Sequence, residues 1–191
     1  MGTASNVIVG EATLYIAPAN TAIPPVPATA GATSWAVPTT PWVQSGFTES
    51  GVVLNVDRKV NDVYVDEQST PVVIVPQTMD VAIDITFAED TIANMVNAYG
   101  GGTVTQTTAG AATPGLTTLA LSNSLTTVAL VFYGVNSFGF QRQVYIPEVV
   151  STGKVKTEYM RYKSARTYPT TFTAICDPSL IIVNDITAAV T

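Results

Sequence analysis

Four carboxylates crowd into one short stretch of the chain: Asp57, Asp62, Asp66 and Glu67. Oxygen ligands of this type hold calcium when a loop wraps them round the ion. Their spacing does not follow the twelve-residue EF-hand pattern, so solvated charges on a hairpin are the better reading. Asp80 and Asp84 are a second candidate pair, of residue types that can do general acid and base work. On an extended strand they stand about 14 Å apart at ~3.4 Å per residue, too far for a glycosidase-type pair. The chain has no histidine and one cysteine, Cys176. A serine or cysteine nucleophile therefore lacks its usual imidazole base, and the common zinc sites and any internal disulfide are excluded. Cys176 sits in the apolar run 172–176 and reads as a small buried hydrophobe. Gly100-Gly-Gly-Thr-Val-Thr105 lacks the lysine of a phosphate loop, and Gly153-Lys154 is followed by Val155 with no such loop upstream. Lys154, Lys156, Arg161, Lys163 and Arg166 are the one basic concentration, interrupted by Glu158. Acidic surfaces of a neighbouring subunit suit it better than DNA. The expectation is a protein with no catalytic residues, no metal and no cofactor, and not an enzyme.

Composition points to a structural role instead. The 191 residues suit one sizeable domain, 1–191, and at 47% hydrophobic with mean hydropathy +0.31 there is ample material for a core. Only 12% of residues are charged, about half the ~25% usual for soluble domains. A surface so poor in charge suggests that much of it is covered, and other copies of the same chain are the simplest cover. The net charge of −6 argues against gripping nucleic acid through a basic face, although not against enclosing it. The first six residues carry no positive charge and no long apolar segment, so no signal peptide is expected. No stretch approaches the ~20 apolar residues of a membrane span. Assembly in a cytosol is the expectation.

The elements that position these residues read mostly as strands. A first strand is expected over 7–16, ended by Pro18. A Pro-, Ala- and Thr-rich loop or arm follows over 18–41, with Trp35 and Trp42 pinning its second half. Residues 51–66 read as a hairpin whose strands hold Val52, Leu54, Val63 and Tyr64, with the polar run 57–62 as its turn. Val72, Val73, Ile74 and Val75 then form an uncharged run between two prolines. Exposed, it would be a sticky edge, so 51–76 is read as an inter-subunit arm. The clearest pattern comes next. Met79, Val81, Ile83, Ile85 and Phe87 alternate with Asp80, Ala82, Asp84 and Thr86. Period-two alternation predicts a strand with the first set on a core and the second in water. Ile92, Met95, Val96 and Tyr99 make one apolar helical stripe, so a helix is expected over 89–99 with Glu89 and Asp90 in its first turn. Gly100-Gly-Gly102 ends it, and 100–115 reads as a flexible loop. Strands are expected again over 116–121, 127–133, 138–146, 155–162, 170–176 and 180–183. The fold class is mainly β: an antiparallel sandwich or half-open barrel with one flanking helix.

Taken in order, these segments resemble a known family. Val9-Gly-Glu-Ala-Thr-Leu-Tyr-Ile-Ala-Pro18, the proline-rich arm and Trp42-Val-Gln-Ser-Gly-Phe-Thr-Glu-Ser-Gly51 resemble the opening of the tail tube proteins of long-tailed, non-contractile phages. The hairpin, the 79–87 strand and Ala88-Glu-Asp-Thr-Ile-Ala-Asn-Met95 are similar to the middle of that family, and Phe172-Thr-Ala-Ile-Cys-Asp-Pro178 to its last core strand. The resemblance implies a β-sandwich with a flanking helix, six copies to a ring, and rings stacked into a tube that conducts DNA. It implies a virion protein assembled in the host cytoplasm. Its partners would be itself, the tape measure, tail terminator and distal tail proteins, and double-stranded DNA in transit without specific binding, with no membrane. Asp80, Ala82, Asp84 and Thr86 would then line the lumen. Two other classes compete: another virion part, such as a head decoration or head–tail completion protein, and a non-viral surface or pilus-like β-module.

Overall fold

The computed structural model describes residues 12–25, 37–135, 141–157 and 167–182. In chain order the elements are β1 (Thr13–Pro18), β2 (Val43–Gln44), β3 (Thr48–Val63), β4 (Val73–Phe87), α1 (Ile92–Ala98), β5 (Thr103–Thr107), β6 (Leu116–Ala120), β7 (Val128–Val135), β8 (Gln141–Ser151), β9 (Tyr168–Ala174) and β10 (Ser179–Ile182). The mainly β architecture with one helix, expected from the sequence, is what the described residues show. One antiparallel sheet runs β2-β1-β7-β8-β9-β4-β3, with β10 also on β8, and curls into a half-barrel; β5 and β6 form a separate hairpin.

The inner face of the curl holds the main core. Leu14 and Ile16 from β1, Val81, Ile83, Ile85 and Phe87 from β4, Leu130 and Phe132 from β7, and Phe172 from β9 all pack there. They come from alternate positions on each strand, as the pleat requires. Phe87 and Phe172 meet edge to face at 6.5 Å. A smaller cluster sits on the opposite face of β1 and β7, where Tyr15, Val131, Tyr133 and Trp42 pack together. Residues 19–25 strap this cluster. The Tyr145 hydroxyl donates to the Thr21 carbonyl at 2.7 Å, and the Trp42 indole N–H donates to the Ala22 carbonyl. Trp42 thus fixes the start of the proline-rich arm; Trp35 and residues 26–36 lie outside the described residues.

Several boundaries differ from expectation. Residues 57–62 are not a turn: β3 runs straight through them. The uncharged run and the alternating strand are likewise one element, β4, with Pro76 inside it. Proline is tolerated there because the β3–β4 register shifts between Lys59 and Val60, and Val60 faces Pro76 across that irregularity. The helix starts at Ile92, not Glu89, with the Thr91 hydroxyl accepting from the Asn94 N–H at 3.2 Å. Glu89 and Asp90 therefore precede the first turn. The helix ends in paired bonds from Gly101 N–H to the Val96 carbonyl and from Gly100 N–H to the Asn97 carbonyl, closed by Gly100 at φ +79°. The expected loop 100–115 contains β5, which pairs with β6. Residues Val155 to Thr157 are not in a strand, and 158–162 of that expected strand lie outside the described residues, as do 7–11 and 138–140 of two others.

Candidate assembly surface

β3 and β4 make a hairpin with strands of 16 and 15 residues. Only its root belongs to the curled sheet. β9 pairs with β4 over Ala82–Phe87 and no further. From Val73 to Val81, β4 has β3 on one side and, among the described residues, no strand on the other. The distal part is thus a two-stranded ribbon projecting about 30 Å at ~3.3 Å per residue. Among the described residues both of its edges are without a further strand, the arrangement that invites one.

Its side chains are apolar and exposed. Val56, Val60 and Val63 on β3, Tyr64 and Val65 at the tip, and Val72, Val73, Ile74 and Val75 leading into β4 are all solvent-accessible. Ile74 is 58% exposed. The inter-subunit arm as read from the sequence is too broad at its base: Val52 and Leu54 are half-buried and pack on the subunit's own core. Val63, Tyr64, Val72, Val73, Ile74 and Val75 are on the ribbon itself.

The alternating set divides at the same boundary. Val81, Ile83, Ile85 and Phe87 are buried in the core. Met79 is not; it is 37% exposed because it lies beyond the end of β9, where no core remains to cover it. On the helix, Met95 and Tyr99 pack against the core at half-burial. Ile92 and Val96 are not core residues: they are half-buried and line a groove on the helix's outer side. The buried helical positions are Asn94 and Ala98. Asn94 is a tie that hydrophobic periodicity could not reveal. Its side-chain amide donates to the carbonyls of Ser45 at 2.9 Å and Glu89 at 3.2 Å, holding the helix to the chain after β2. Ser151 anchors the other end by donating to the Ala98 carbonyl at 2.6 Å.

Asp80, Ala82, Asp84 and Thr86 share the sheet face opposite the core, and the two acids are already engaged. Asp84 accepts from the Asn55 amide at 2.7 Å and the Thr171 hydroxyl at 2.6 Å, which links β3, β4 and β9. Asp80 pairs with Lys59 at 2.6 Å, and Asp57 stands directly across from it. The hydrogen bond from Lys59 to Asp80, then the charges of Asp80 and Asp57, push the lysine's pKa up. Lys154 joins Asp84 in lining a shallow recess on this face. The face therefore carries mixed charge, less acidic than the alternation alone suggested.

The remaining candidates for chemistry are dispersed. Asp57 and Asp62 lie five residues apart on an extended strand, about 16 Å at ~3.3 Å per residue. Among the described residues no three His, Cys, Asp or Glu side chains come together as a metal-binding group. Cys176 is half-buried, not fully so; it packs on the core edge with the Glu148 N–H donating to its sulfur at 3.2 Å, and burial pushes its thiol pKa up. Arg161, Lys163 and Arg166 of the basic cluster lie outside the described residues.

The groove that Ile92 and Val96 line has a volume of about 430 Å³. It runs between the outer side of α1 and the ends of β1 and β2, and Val104 of β5 reaches its rim. None of the described residues lining it is charged. The surface thus offers an apolar projection, a mixed-charge sheet face and an apolar groove. A scan against protein-family models finds no match to this chain, and a search of curated proteins finds none.

Proposed function

We propose that this chain is a tail tube protein of a long-tailed phage, polymerising as stacked, six-membered rings into the conduit through which DNA is ejected. The observation that carries the reading is the β3–β4 ribbon. A monomer that exposes two free strand edges and a run of valine and isoleucine is an aggregation hazard, and soluble proteins avoid such edges. The exposure makes sense if identical copies cover it. Low charge over the whole chain and the ordered resemblance of its segments to tail tube proteins support the same conclusion. In this reading the face bearing Asp80, Ala82, Asp84 and Thr86 lines the lumen. Its side chains are small, which keeps the bore wide. Its lysines are balanced by acids, so phosphates find no basic strip to hold them. The tape measure, tail terminator and distal tail proteins would meet the ends of the tube. Catalysis and cofactors have no part in this role.

Electron microscopy of the concentrated protein tests the proposal directly. Rings or tubes are expected. Ile74→Asp should leave the fold intact, because the residue is exposed in the subunit, yet abolish polymers. A carboxylate carried into a dry contact costs several kcal/mol or must be protonated. Wild-type protein that stays monomeric at high concentration, with or without tail assembly factors, would overturn the reading.

A further inference from the structure

We infer that the groove between α1 and the β1–β2 edge is the receptor for the β3–β4 ribbon of a second copy of the same chain. This rests on the tube reading and adds the contact through which copies recognise each other. The two surfaces match in chemistry. Ile16, Pro41, Val43, Ile92, Val96 and Val104 give the groove an apolar wall, and no described lining residue is charged. On the β4 side of the ribbon no residue from Gln68 to Met79 is charged, so that strand brings no ion into the contact; Asp57, Arg58, Lys59 and Asp62 belong to β3. Backbone chemistry matches as well. Among the described residues β2 ends the strand order of the sheet with one side unpaired, and from Val73 to Val81 the edge of β4 away from β3 is unpaired, so the ribbon can add to the β2 edge while alternate side chains enter the groove.

Geometry excludes docking within one subunit. The groove lies beside β2, four residues before β3 begins at Thr48. Ile74 faces Asp62 across the hairpin, about 45 Å from Thr48 at ~3.3 Å per residue. The hairpin stays paired on both sides of its irregularities at Thr48/Val52 and Lys59/Val60 and carries Ile74 away from the groove, exposed in its own subunit, so the groove that receives Ile74 belongs to another copy. Each copy then has one projection and one receptor. The contact is heterologous, so it propagates from subunit to subunit and either closes into a ring or extends into a filament.

Two variants at solvent-exposed positions test this. Ile74→Asp damages the ribbon, and Ala93→Asp puts a charge in the groove without touching the core, since Ala93 is exposed on α1. Each variant alone should be folded by circular dichroism and lose polymers. An equal mixture should form one-to-one heterodimers and stop there, because only the ribbon of the Ala93→Asp chain and the groove of the Ile74→Asp chain remain intact. In a Cys176→Ser background, an Ile74→Cys chain mixed with an Ala93→Cys chain should cross-link to a dimer under oxidation. Ala93→Asp protein that still forms tubes, or a mixture that yields neither heterodimer nor cross-link, overturns the receptor assignment while wild-type tubes leave the tube reading standing. Wild-type protein that remains monomeric at millimolar concentration overturns both.

Discussion

Asp84 holds three strands together, and Asp84→Ala should cost stability that can be worked out in advance. Its two oxygens accept from Asn55 on β3 and Thr171 on β9. Hydrogen bonds to a charged group contribute ~1.5–3 kcal/mol each when well shielded. Here Asp84 is half-buried and Asn55 exposed, so water competes for both partners and roughly 0.5–1 kcal/mol apiece is the better figure. Neither partner is left buried and unsatisfied after the substitution, so no further penalty applies. The total of about 1–2 kcal/mol lowers Tm by roughly 2–8 °C for a domain of this size. Asp84→Asn keeps one acceptor oxygen and should lose about half as much. Asp80→Ala should change Tm little, because its ion pair with Lys59 lies in solvent. Thermal unfolding of the three variants under conditions that keep the protein monomeric reads these values. A fall of less than about 1 °C for Asp84→Ala, or an equal fall for Asp80→Ala, would refute the three-strand tie.

Burial, then the nearby Tyr15, pushes the Tyr133 pKa up from 10.0 to about 12, so the unfolded chain ionises first and stability should fall as pH rises between those values. Tyr133→Phe should flatten that slope in denaturant titrations, and an unchanged slope would assign it to other groups. Gly46 has φ +79°, and a Cβ there would meet the Glu89 carboxylate, which accepts from the Phe47 N–H. Gly46→Ala should destabilise by about 1 kcal/mol or more, measured by urea unfolding, with a neutral result excluding strain at this turn. Phe172→Ala should remove about 3–5 kcal/mol by opening a cavity beside Phe87, and protein that still unfolds at the wild-type denaturant concentration would contradict that packing.

The alternation from Val81 to Phe87 was readable because both of its faces have settled environments, one in the core and one in solvent. The same pattern misled at Met79, because alternation says which side a residue faces and not whether anything lies there to cover it. The run 57–62 looked like a turn for a related reason. On a ribbon exposed on both faces, charged and polar residues are tolerated at every position, and the period-two signal vanishes. The real turn, 64–72, holds Asp66, Glu67, Gln68, Ser69 and Thr70, equally polar and next in sequence. β5 was hidden by its composition, since threonine alternating with valine and glutamine beside glycines and alanines reads as loop. The helix start was misplaced because Glu89 serves the turn at Phe47, while Thr91 supplies the cap. Asn55, Thr171 and Asn94 are long-range polar ties, and a single sequence carries no signal for such pairs. The groove was invisible for the same reason, since its walls come from five separate elements.

Folding and assembly are divided between different parts of the chain. The curled sheet has its own core, with side chains from β1, β4, β7, β8 and β9 sealed inside, and can be ordered before any neighbour arrives. Among the described residues the distal ribbon has no core of its own. An isolated two-stranded hairpin is marginal in water, so its ordering gains little from the subunit that carries it. In the proposed assembly, the neighbour's groove supplies the missing cover, and part of the docking energy offsets the entropy of fixing the ribbon. In that assembly the division would weaken each first contact and strengthen contacts made where several ribbons are already docked, so subunits are expected to add more readily to a growing end than to one another in solution. A chain with a stiff, fully charged hairpin would lose this difference: it would be safer as a monomer, but it would have no apolar surface left for a neighbour to bury.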